Sequence, residues 1–184
     1  MSIFRIARAA ALLAALASPA LAQTPSAPKL EVFGGYSLLP ANGDDFPRSS
    51  SHGVLVGAQG NVNRWFGIFG EAATFRSTTA DLGPNFAGQT AKTTVTQFLV
   101  GPRFTVRGER ANVFVHGLFG TSRGDAGAGF EGFSDSGVTF GGGGGVDVNV
   151  TRRLAIRGQF DLLGSFADIV EGNTRIFVGG VLRF

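Results

Sequence analysis

Apolar residues recur at every second position from Leu30 onward, the period of a strand whose side chains alternate between two faces. Eight such runs follow one another: Leu30–Leu38, Val54–Val62, Trp65–Ala73, Gln97–Val106, Val113–Phe119, Val138–Val150, Leu154–Leu162 and Arg175–Phe184. In the fourth, Phe98, Val100, Phe104 and Val106 share one face, and Gln97, Arg103 and Thr105 share the other. The connections alternate as well. Asn63-Arg64, Arg107–Arg110 and Thr151–Arg153 are tight turns, whereas Leu39–His52, Ser77–Thr93, Ser122–Ser136 and Gly164–Asn173 are long and rich in Gly, Ser, Asp and Pro. An even number of antiparallel strands with two unlike ends predicts an all-β, eight-stranded up-and-down meander. Closure into a barrel removes its two open edges.

Alternation alone does not say which face points outward. A soluble lipocalin-like barrel has the same parity with its apolar side inward. Three features assign the apolar face to lipid. Beyond the N-terminal segment the lysines are Lys29 and Lys92, too few for a soluble exterior. The polar face holds sparse, balanced charges: Glu31, Glu71, Asp147 and Asp161 against Arg103, Arg157, Arg175 and Arg183, with His116 among them. Such a set suits a narrow interior where each charge requires a partner. Aromatic residues also flank the apolar band, with Tyr36, Phe119, Phe140 and Phe160 toward the long connections and Phe66, Phe104 and Phe184 toward the tight turns, as interfacial girdles require. The expectation is a transmembrane β-barrel.

The N-terminus reads MSIFRIARAAALLAALASPALA. Arg5 and Arg8 precede an apolar stretch, Pro19 and the small-residue site Ala20-Leu21-Ala22, the pattern of a secretory signal cut between Ala22 and Gln23. The apolar stretch is shorter than the roughly 20 residues that span a bilayer. Residues 1–22 are thus expected to be a signal peptide, 23–29 a flexible lead-in and 30–184 the barrel. Glycine at 29 of 184 positions disfavours a helical protein. The absence of cysteine excludes a disulfide scaffold, a thiolate zinc site and a cysteine nucleophile. Two units of the +3 net charge belong to Arg5 and Arg8, so a nucleic-acid partner has little support.

The signal, the eight runs, the alternation of turn lengths and the ending on Phe184 resemble the outer-membrane β-barrel proteins of the OmpA/OmpX type. EVFGGYS in the first run, FLVGPRF in the fourth and the terminal IFVGGVLRF are phrases similar to those of that family. The resemblance implies a monomer in the bacterial outer membrane, without the peptidoglycan-binding domain that follows the barrel in OmpA. It implies outer-membrane lipid and lipopolysaccharide as surroundings, and Phe184 as the residue read by the barrel-assembly machinery.

Candidate chemistry is sparse. Gly141–Gly145 lies within a strand run with no Lys-Ser/Thr after it, unlike a phosphate loop. GAGFEG (Gly127–Gly132) matches a dinucleotide spacing but falls in an expected loop, as does the tripeptide Arg123-Gly124-Asp125. Ser50 and His52 share the outward parity at the rim, yet no acid on adjoining strand ends shares their face, so a polar junction is expected rather than a lipid hydrolase. Loop acids Asp44, Asp45, Asp81, Asp125, Glu131, Asp135, Asp168 and Glu171 outnumber Arg48, Arg76, Lys92 and Arg123. No catalytic, cofactor or metal residue is assigned. The expected role is structural or surface-interactive, through extracellular loops. A narrow passive pore and, behind it, a lipid A-modifying enzyme are the alternatives.

Overall fold

A computed structural model describes residues 27–40, 50–79, 91–128, 131–165 and 173–184. The cleavage site Ala22/Gln23 and the loop residues Asp44, Asp45, Arg48, Asp81, Asp168 and Glu171 lie outside the described residues. The strands are β1 (Leu30–Leu39), β2 (Ser51–Asn61), β3 (Phe66–Thr79), β4 (Ala91–Arg107), β5 (Ala111–Ala128), β6 (Glu131–Asn149), β7 (Leu154–Ser165) and β8 (Asn173–Arg183). Each pairs antiparallel with the next, and β1 pairs with β8, from Glu31↔Arg183 to Leu38↔Ile176, to close the barrel.

The tight turns form from local hydrogen bonds. Asn63 Oδ1 accepts the backbone N–H of Trp65 and of Phe66 at 2.9 and 2.8 Å, and Thr151 Oγ1 accepts those of Arg153 and Leu154 at 3.2 and 3.0 Å. Short polar side chains favour turns because they can bond the backbone in this way. Trp65, expected at the inward start of the third strand, belongs instead to the turn and stacks on Phe104 at the outer rim, with ring centroids 5.8 Å apart. The expected loop Ser122–Ser136 is mostly strand: β5 and β6 stay in register up to Ala128↔Glu131. Arg123-Gly124-Asp125 therefore lies within β5, and GAGFEG spans the facing ends of β5 and β6. A ladder needs only backbone donors and acceptors, so a Gly/Ser/Asp-rich stretch extends where a neighbour is already aligned.

Burial follows the two-residue period closely. Along β8, Arg175, Phe177, Val181 and Arg183 are buried, while Ile176, Val178 and Leu182 are exposed. Val54, Val56, Ile68, Phe98, Val100, Val115, Ile156 and Phe160 likewise face outward. A continuous apolar wall around a polar lumen matches a lipid-facing barrel. The glycine run of β6 is a clearance device on the inward side. A Cβ on Gly141 would meet Leu163, one on Gly143 would meet the Asp161 carboxylate and Phe160 O, and one on Gly145 would meet the Phe114 ring.

Two outcomes test this architecture. Folded protein should migrate at a different apparent mass from boiled protein on SDS gels and sediment with outer membranes; recovery as a soluble monomer would contradict the lipid-facing wall. Gly143→Val should lower stability by about 1–3 kcal/mol through overpacking. Gly158→Val, where an added Cβ meets nothing within 4 Å, should leave urea unfolding nearly unchanged.

Candidate functional site

The barrel interior gathers charged residues from β1, β3, β4, β6, β7 and β8, while β2 supplies the amides Gln59 and Asn61 and β5 supplies Asn112 and His116. Nearest the tight turns, Glu31 on β1 receives Arg107 Nη2 at 2.9 Å and Arg157 Nη2 at 3.5 Å. Asp147 on β6 binds Arg157 through Nε at 2.7 Å and Nη2 at 2.9 Å, and Arg183 Nη2 at 3.2 Å. Two-point contact from a guanidinium fork is the strongest form of such a pair. Three arginines thus share two carboxylates, and amides complete the set: Arg107 also donates to Asn61 Oδ1 at 2.9 Å and Arg183 to Asn149 Oδ1 at 2.6 Å.

Further up the lumen, Arg175 is wholly buried and donates to both Glu71 and Asp161, the latter at 2.7 Å. His116 Nε2 lies 2.7 Å from Asp161 Oδ1, with its ring against Phe69 and Phe114. Gln159 links the two groups, donating to Asp161 at 2.9 Å and accepting from Arg103 at 3.4 Å. Above this network Leu55, Phe75, Leu99, Leu163 and Phe177 form an apolar cluster that is almost entirely buried.

Arg103 departs from the expected pairing with Glu71, Asp147 or Asp161. It is fully buried, yet its polar partners are the amides Gln59, at 2.9 Å, and Gln159. Its guanidinium carbon lies 4.1 Å from the Phe69 ring centroid and 4.3 Å from that of Phe114, with Phe33 at 5.4 Å. Aromatic faces attract a desolvated cation by about 2 kcal/mol, which explains how the charge sits without a carboxylate. Sequence reasoning also missed Arg107, assigned to a turn, and Asn112, which is buried and accepts the Gly108 N–H. Extending the fourth run by one inward step past Thr105 would have found Arg107. With it, the inward charges are five arginines against four carboxylates.

The remaining assigned positions lie at the ends. Phe184 is exposed at the tight-turn rim, its N–H on Leu30 O and its own O on Lys29 N–H, both at 2.9 Å. At the opposite rim His52 Nδ1 is hydrogen-bonded to the Tyr36 hydroxyl, and His52 is aligned with Arg76 on β3. A tyrosine hydroxyl, not a carboxylate, therefore holds the ring nitrogen that a Ser-His hydrolase would use to orient its base. Among the described residues no group of three or more His, Cys, Asp or Glu is arranged to hold a metal ion.

A family model for the outer membrane protein β-barrel domain matches residues 8–182. Three solved structures share the fold. Ail, the attachment invasion locus protein of Yersinia pestis, crystallised with the heparin analogue sucrose octasulfate, is 17% identical, with 86% of this chain and 99% of that chain covered and a TM-score of 0.64. Neisserial surface protein A is 10% identical, with coverage of 85% and 97% and a TM-score of 0.66. The N-terminal barrel of OprF from Pseudomonas aeruginosa is 7% identical, with coverage of 85% and 98% and a TM-score of 0.59. No curated protein matches the chain.

The two classes of buried arginine should separate by mutation. Arg157→Met removes the two-point contact to Asp147, leaving it Arg183 alone, and one of the contacts to Glu31; breaking a buried pair costs about 3–5 kcal/mol. Arg103→Met strands no carboxylate and should cost clearly less. Arg123→Ala, an exposed pair with Asp125, should fall within about 0–1 kcal/mol. Urea titration in lipid vesicles reads all three, and equal losses at 103 and 157 would contradict the pairing described.

Proposed function

We propose a function from one premise: the chain belongs to the family of outer membrane β-barrel domain proteins. Within that family it acts as a non-enzymatic, monomeric protein with a structural or surface-interacting role, not as a channel. The carrying observation is the filled lumen. Leu55, Phe75, Leu99 and Phe177 are at most 1% exposed, and the arginine network fills the barrel beneath them. Eight strands enclose an interior that side chains can fill completely. Opening a path would require breaking several buried ion pairs together.

A barrel closed in this way acts through its surfaces. Strands β3 to β6 rise furthest on the side of the long connections, with β3–β4 paired to Thr79↔Ala91 and β5–β6 to Ala128↔Glu131. In this reading that lip faces outside the cell and both termini lie in the periplasm after export. Tyr36, His52, Arg76 and Arg123 lie exposed on the outer wall at the upper edge of the apolar band. Hydrogen-bonding and cationic groups at that height suit the phosphates of lipopolysaccharide. Phe184, at the end of the strand that closes against β1, suits recognition by the assembly machinery.

Purified barrel in planar bilayers should give no stepwise conductance; reproducible steps would favour the passive pore. A deletion strain should keep its lipid A mass spectrum while changing in envelope-stress response or surface attachment. Removing Phe184 should reduce the membrane-inserted fraction and raise periplasmic degradation, and unchanged outer-membrane levels would overturn its role in assembly.

A further inference from the structure

The lumen is filled, but its tight-turn mouth is not. There an open basin of about 1230 Å³ is lined by Lys29, Arg107, Arg152, Arg153 and Arg183, with Glu109 as its one side-chain carboxylate among the described residues. These cations come from four separate elements: the lead-in to β1, the end of β4, the β6–β7 turn and the end of β8. Low-dielectric walls around such a cluster concentrate its field at the mouth.

The acids beneath the basin do not neutralise it. Glu31 and Asp147 are already shared by Arg107, Arg157 and Arg183. Among the described residues Lys29, Arg152 and Arg153 form no ion pair. The Arg183 side chain is only 8% exposed, and its Nε–H has no hydrogen-bond acceptor, with Glu31 Oε2 4.0 Å away. Residues 1–26 contain no Asp or Glu, so that segment cannot supply the missing charge. Glu109 and the terminal carboxylate at Phe184 are fewer than the five cations of the lining, so the basin keeps a positive excess that suits an anion from another molecule.

We propose that this basin is a binding site for a phosphate-bearing anion. A phosphoryl group offers several acceptor oxygens and more than one negative charge, which guanidinium forks from different elements can share. A lone carboxylate offers two oxygens and a single charge, fewer than such a cluster can engage. The group can belong to an anionic phospholipid headgroup of the adjoining leaflet or to a free phosphate compound. Both sources present the same chemistry to the arginines.

The full chain, refolded in a maltoside detergent that carries no phosphate, is titrated calorimetrically with inorganic pyrophosphate at low ionic strength. Saturable binding that weakens as salt rises is expected. Arg152→Gln with Arg153→Gln, both exposed turn positions, should weaken it by about tenfold or more, while Arg123→Gln at the far rim should not. Native mass spectrometry with phosphatidylglycerol or phosphatidylcholine distinguishes the sources. Preferential phosphatidylglycerol retention that is lost in the double variant and displaced by pyrophosphate identifies a headgroup; pyrophosphate binding without lipid preference identifies a free phosphate. The proposal is overturned if the double variant binds both probes as wild type does, if neither probe binds, or if citrate binds as tightly as pyrophosphate.

Discussion

The fold depends on one constraint, the neutralisation of arginines inside a lumen packed with side chains. Five guanidiniums are drawn into a space walled by eight strands, and a cation there is tolerable only with acceptors or aromatic faces around it. Four carboxylates on β1, β3, β6 and β7 meet most of that need, and the rings of Phe33, Phe69 and Phe114 with two glutamines meet the rest. The same crowding explains the three inward glycines of β6, which leave room for Leu163, Asp161 and Phe114. The outer wall is less constrained, since lipid asks only that it be apolar.

The two ends of the barrel are chemically opposite. Toward the long connections the lumen is capped by leucine and phenylalanine packed out of contact with water. Toward the tight turns it opens on a mouth ringed by cations. A molecule built in this way presents distinct surfaces to the two sides of a membrane, with a lumen packed by side chains between them. That arrangement accounts for the structural and surface-directed reading better than a transport one.

Much of this was legible in the sequence because a strand repeats with a period of two. Inward and outward assignments for Glu31, Glu71, Asp147, Asp161, Arg175 and Arg183 follow from parity alone and match the burial seen. Partner choice was not legible. Whether Arg103 meets Glu71 or the Phe69 and Phe114 rings depends on the stagger between strands, which no single strand's pattern contains. Strand ends were misjudged for a related reason. Arg107 was read as the first residue of the turn after the fourth run, and the 122–136 stretch as a loop rich in glycine and serine, although both continue ladders set by their neighbours.

The pairing of β1 with β8 joins the two ends of the barrel sequence. Bringing such distant segments together carries a loop-closure entropy that local hairpins escape, and topologies of this kind fold slowly. Some interior pairs span a similar distance: Arg157 and Glu31 are 126 residues apart, and Arg175 and Glu71 are 104 apart, whereas Arg157–Asp147 and Arg175–Asp161 join neighbouring strands. A chain that has formed its hairpins but not its seam therefore pairs Arg157 with Asp147 and Arg175 with Asp161, yet lacks Glu31 and Glu71 as their second partners and keeps two open edges. The remaining charges are neutralised and the edges are sealed in the same event. Closure completes the network, and partly built sheets stay exposed to aggregation until the last strand arrives.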